Sequence, residues 1–114
     1  TSTTQDRMEN DLLINAPMED VVGPYARNAR DAGLDGVVCS PLESGSVHDI
    51  CGSEFLTVTP GVRFADDDKG DQARVTTPVR AKELGSDYIV VGRSITGAAD
   101  PVGAYERCIS EFVG

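Results

Sequence analysis

Between positions 20 and 33 the apolar residues Val21, Val22, Tyr25, Ala26, Ala29 and Ala32 recur at helical spacing, with Asp20 placed to cap the start and Gly33 to stop the helix. The pattern then changes. Val37, Val38 and Cys39 follow one another without polar interruption, which predicts a strand buried on both faces, ended by Ser40 and Pro41. A short helix through "SGSVHDICG", closed by Gly52, leads to "FLTVTP", whose β-branched and aromatic residues predict a second strand. Thr77 and Pro78 supply an N-cap and a first-turn proline to a helix that Gly85 ends, and "DYIVV" reads as a third strand. Asp100 and Pro101 repeat the cap-and-proline device ahead of a last helix with an apolar stripe at Val102, Tyr105, Ile109 and Phe112. A short helix from Thr4 to Leu13 is expected before all of these.

Strands alternating with helices imply right-handed crossovers and a parallel sheet. The strand that should precede the first long helix is missing, and three strands with only their own helices leave one sheet face bare, whereas parallel sheets are stable with both faces covered. A (β/α)8 barrel needs about 250 residues. The 114 residues here, three complete units plus the helices of a fourth, amount to half of one. The alternative from pattern alone is a small doubly wound fold, for which the chain is short.

Composition narrows the partners. With 39% hydrophobic and 25% charged residues the chain is ordinary for a globular domain. No run approaches the roughly 18 to 20 apolar residues of a membrane span, and the opening "TSTTQDRMEND" lacks the features of a signal peptide, so a cytoplasmic location without membrane contact is expected. A net charge of −9 argues against nucleic acid, which needs clustered Lys and Arg. Cys39, Cys51 and Cys108 share no CxxC spacing and there is one histidine, His48, so no metal or disulfide set is expected. The cysteines read as buried reduced thiols, and His48 as a surface or capping residue with nothing nearby to orient it.

Candidate chemistry lies at the strand ends, where α/β folds bind ligands. Arg63 falls just beyond the second strand, and Gly92 with Arg93 beyond the third, so two arginines are expected on one rim. Gly92 lets a ligand approach the backbone, and the planar fork of Arg93 suits phosphate oxygens. Gln72 offers an amide equally able to serve a heterocycle or a phosphate. "DDDKGD" reads as a hydrated loop instead of a proton-transfer set, and Gly97 as the turn into the last helix, whose first N–H groups could add to an anion site. Composition gives Ser2, Thr3 and Thr4 only capping roles and leaves Thr1 as a frayed terminus.

The strings "TST", "AGLDGVVCSP", "LTVTPGVR", "DDKGDQARVTTP" and "GSDYIVVGRSITGAADPV", in this order, make the chain resemble the carboxyl-terminal half of the bacterial orotidine 5'-phosphate decarboxylase family over essentially its whole length. The resemblance implies a (β/α)8 TIM barrel of which residues 1–114 are the C-terminal half of a single domain, from the mouth end of strand 5 to helix 8. It implies a cofactor-free, metal-free carboxy-lyase converting orotidine monophosphate to uridine monophosphate in pyrimidine biosynthesis, working as a homodimer. Thr1, Arg63, Gln72, Gly92 and Arg93 match substrate-binding positions, with Arg93 on the phosphate, Gln72 closing over it and Thr1 on the base. The family's alternating lysines and aspartates belong to the early strands. No catalytic residue is therefore expected in this chain, and Lys69 with its neighbouring aspartates does not match that motif. The N-terminal half of the barrel becomes the implied partner, and the chain alone is expected to be inactive. Other readings are a sugar-phosphate epimerase, aldolase or synthase on the same barrel, and a non-catalytic half-barrel module.

Overall fold

The computed structural model describes residues 2–67 and 76–114 of the chain. Thr4 caps a first helix, α1 (Gln5–Asn10), its hydroxyl accepting from the Arg7 N–H. The long helix α2 (Met18–Asp31) begins two residues before the expected Asp20. Its N-cap, Pro17, has no side chain to offer, and the Met18 N–H is instead taken by the Gln5 amide oxygen at 2.7 Å, with Gln5 also donating to the Ala16 carbonyl at 2.8 Å. A distant amide thus replaces the local cap, and Asp20 sits within the first turn.

Among the described residues three strands follow, β1 (Gly36–Val38), β2 (Leu56–Thr59) and β3 (Tyr88–Ile89), paired in the order β1-β2-β3 and parallel throughout. Between β1 and β2 run a 3-10 turn (Pro41–Glu43), closed by a Ser40–Glu43 capping box, and α3 (Ser44–Cys51), ended at Gly52. Between β2 and β3 lies α4 (Pro78–Leu84), capped by Thr77 and terminated by Gly85 at φ 93°. After β3 come α5 (Arg93–Thr96) and α6 (Pro101–Phe112), the latter capped by Asp100.

The register decides which residues share a face. Pairs Val38↔Val58 and Val58↔Tyr88 lie on one side; Val37↔Thr57 and Thr59↔Ile89 lie on the other. The second side meets α2 and α3 in a core of Ala26, Cys39, Val47 and Phe55. Its threonines are fully buried and hydrogen-bonded: Thr59 donates to Ser86 at 3.0 Å, and Ser86 lies 3.3 Å from the Ser44 hydroxyl.

The first side is bare, with Val38 72% and Tyr88 58% exposed. This corrects the expectation of a β1 buried on both faces: consecutive apolar residues suit two covers, and the chain supplies one. The α6 stripe differs likewise, since Val102, Tyr105 and Ile109 are exposed and Cys108 is the buried residue of that helix. Both sheet edges carry apolar grooves. One of about 310 Å³ beside β1 is lined by Met8, Leu12, Val22, Tyr25 and Val38, and one of about 410 Å³ beside β3 by Tyr88, Tyr105, Ile109 and Phe112. The accessible surface, 6852 Å², exceeds the roughly 6000 Å² expected of a compact monomer of this mass. Edge strands and apolar faces left open in this way call for further strands.

At the amino end of the sheet His48 is oriented after all. Its Nε2 lies 2.8 Å from the Asp87 carboxylate, which also accepts from the Thr57 N–H at 2.8 Å and the Thr57 hydroxyl at 3.1 Å. This ties α3, β2 and the entry to β3 together, and the sequence separation of 39 between His48 and Asp87 hid it from sequence. Burial alone would raise the Asp87 pKa. The Thr57 N–H, the His48 ring and the Thr57 hydroxyl outweigh it and hold the carboxyl below its ordinary 3.8. With the folded pKa depressed, the unfolded chain binds the proton more readily, so the stabilisation is present above pH 3.8 and lost as pH falls through the folded value. Asp87→Asn is expected to lower unfolding stability by about 2 kcal/mol at pH 6, with the gap to wild type shrinking towards pH 3 in urea titrations. A gap independent of pH would contradict this origin.

Candidate functional site

Parallel strands point their carboxyl ends one way, and that rim collects the candidate residues. Pairing continues one residue past β3, the Val90 N–H reaching the Thr59 carbonyl at 3.0 Å, so the exits of β2 and β3 are level. From Thr59 the chain turns through Pro60 and Gly61, the latter at φ 80°, and Val62 pairs in parallel with Thr76. The Arg63 N–H donates to the Thr76 carbonyl at 2.9 Å, and its side chain is buried, with only 7% of the residue exposed. Arg63 is therefore held by its own backbone just beyond the end of β2.

From Val90 the neighbouring strand runs to Gly92, the N-cap of α5, and to Arg93, which is exposed. A Cβ placed on Gly92 would meet nothing within 4 Å, so internal packing does not demand a glycine there. The opening leaves the backbone approachable. The Gly92 carbonyl accepts from Ile95 at 2.9 Å and Thr96 at 3.1 Å, setting the short turn that carries Arg93. In α6 the Gly103 N–H is taken by the Asp100 carboxylate at 3.1 Å, so this one donor of the first turn is used by the chain's own acid.

The structure thus brings Arg63, Gly92 and Arg93 to the same end of adjacent strands. Thr1 and Gln72, together with Lys69, lie outside the described residues. One cluster escaped the sequence. Arg107 of α6 stacks over the Phe64 ring at 4.0 Å, reaches Asp66 at 3.2 Å and Glu111 at 2.8 Å. The Asp66 carboxyl is held below the usual carboxylate range, first by a backbone N–H and then by Arg107. Only the Arg107–Glu111 spacing, one helical turn, was visible in the sequence.

Among the described residues no group of three or more His, Cys, Asp or Glu could hold a metal ion, and the three cysteines are reduced thiols. No helix among them is long and apolar enough to cross a membrane.

Three parallel β/α units, preceded by the helices of a fourth, with a polar carboxyl rim and a bare inner face, are half of a (β/α)8 barrel. The Orotidine 5'-phosphate decarboxylase / HUMPS family model matches residues 1–108. The chain belongs to that family. It is 54% identical over all 114 residues to orotidine 5'-phosphate decarboxylases of Geobacillus sp. (strain WCH70) and Bacillus caldolyticus, covering 48% and 47% of their lengths. The crystal structure of orotidine 5'-phosphate decarboxylase from Lactobacillus acidophilus superposes with a TM-score of 0.81 at 44% identity, over 100% of this chain and 46% of that one. The chain spans about half the length of the curated relatives it matches.

Ser94, immediately after Arg93, has a buried hydroxyl with no hydrogen-bond partner among the described residues. An unpaired buried hydroxyl costs about 1 kcal/mol or more, so Ser94→Ala is expected to raise stability by about that amount in thermal or urea unfolding. A loss of stability would show that the hydroxyl has a partner.

Proposed function

We propose that residues 1–114 are the C-terminal half of a single barrel domain and form the phosphate- and pyrimidine-gripping part of an orotidine 5'-phosphate decarboxylase. The catalytic lysines and aspartates come from the N-terminal half. The observation that carries this reading is the delivery of Arg63 and Arg93 to one rim by adjacent parallel strands, in a chain 54% identical to proteins bearing that name.

In this reading Arg93 holds phosphate oxygens through its planar fork, beside the open backbone at Gly92, and Arg63 adds a second, buried guanidinium. Gln72 and Thr1 join them on their sequence match alone, toward the pyrimidine. The phosphate does not react. Its binding energy instead fixes the nucleotide so that the reacting carbon meets groups supplied from elsewhere, and remote contacts thereby lower the barrier. The N-terminal half covers the bare face and both grooves, and the completed protein works as a cytoplasmic homodimer without cofactor.

Mixing or joining this chain with the N-terminal half of a relative and following the decrease in orotidine monophosphate absorbance tests the division of roles. The chain alone is expected to show no turnover and the completed barrel to decarboxylate. Arg93→Ala in the complete form is expected to lower kcat/KM by about 100-fold, the effect of removing one charge-assisted hydrogen bond that holds the transition state. Substantial decarboxylation by the 114-residue chain alone would overturn the proposal. So would a completed barrel that ignores uridine monophosphate and binds ribulose 5-phosphate.

A further inference from the structure

We infer that Arg107, on the last helix, is a positioning residue for Arg63: by clamping Phe64 and Asp66 it fixes the backbone from which the buried Arg63 side chain departs. The inference rests on the proposed role of Arg63 as a substrate contact and adds a residue remote in sequence to that site.

Arg63 lies between two restraints. On its amino side Val62 pairs with Thr76, and the Arg63 N–H bonds the Thr76 carbonyl. On its carboxyl side Phe64 is buried, its N–H donates to the Asp67 carboxylate at 3.0 Å, and the Asp67 N–H returns a bond to the Phe64 carbonyl at 3.0 Å. Over that closed turn lies Arg107, its guanidinium carbon 4.0 Å from the ring centroid and Nη1 3.2 Å from Asp66. Glu111, one turn further along α6, accepts from Nε at 2.8 Å and so restrains the guanidinium over the ring.

The magnitudes separate positioning from stability. Arg107 and Asp66 have 43% and 73% exposed side chains, and such pairs contribute little to unfolding energies. Arginine side chains are long, however, and a small backbone rotation beside Arg63 displaces its tip by an ångström or more. A displacement of that size stretches and bends the hydrogen bonds between a charged group and its ligand. Removal of Arg107 should therefore be slight in its effect on melting temperature and clear in its effect on ligand binding. The Asp66 pair alone would do neither; the planar stack on a buried ring supplies the orientation, which a lysine cannot copy.

The test is a double-mutant cycle in the complete barrel, this chain joined to the N-terminal half of a relative, with uridine monophosphate affinity read by calorimetry. Arg107→Met is expected to weaken binding about five- to tenfold with little change in Tm, and Phe64→Leu, which keeps the site filled and removes the ring, to weaken it similarly. Arg107→Lys should not rescue. In an Arg63→Met background the Arg107→Met change should cost nothing further. If Arg63→Met weakens binding and Arg107→Met adds its full effect on top, Arg107 does not act through Arg63 and the inference alone falls. If Arg63→Met leaves affinity unchanged, the reading of Arg63 as a ligand contact falls and takes the inference with it.

Discussion

Parallel pairing of β1, β2 and β3 is the constraint on which the rest depends. Because the strands run the same way, the connections between them, through α3 and α4, must cross back over a face, and α3 packs there with α2, the helix that leads into β1. Because they run the same way, every exit is also at one end, which brings Arg63 and Arg93 together without any contact between their loops being required. The bare opposite face follows from the same arrangement: three units curve round only part of a barrel, and Val38 and Tyr88 remain open.

The two ends of the sheet are built differently. At the amino end a carboxylate, an imidazole and a threonine interlock through short hydrogen bonds, which suits an element that must hold still. At the carboxyl end the glycine before Arg93 leaves open space, and the buried Ser94 hydroxyl beside it has no partner among the described residues. Stability at one end and ligand chemistry at the other is the general division of labour in such barrels. Arg107 belongs to the second end although it sits on the last helix, because α6 folds back beside the residues just beyond the end of β2.

Much of the fold is legible in the residues because it is local. Thr77 and Asp100 cap the helices they precede, Gly85 ends α4 in a left-handed conformation, and Thr4 starts α1 as expected. What fails is non-local. The start of α2 is set by Gln5 from α1, so Asp20 misleads; His48 meets Asp87 across the sheet; Phe64 meets Arg107, a residue far along the chain on the last helix. The runs Val37–Val38 and Val102–Tyr105–Ile109 carry the pattern of buried faces, yet much of each is exposed. Sequence shows what a face is made for, whereas exposure depends on what else is present. For the rim, position after a strand is enough to locate Arg63 and Arg93, but not to see that one is buried and the other exposed.

We propose that these two arginines share one phosphate. A crystal structure of the completed barrel with uridine monophosphate tests it directly. Both guanidinium groups are expected within hydrogen-bonding distance, about 3 Å, of oxygens on the same phosphate, with the inner face of this chain covered by the other half. A nucleotide whose phosphate contacts neither arginine, or lies at the amino end near His48 and Asp87, would contradict it.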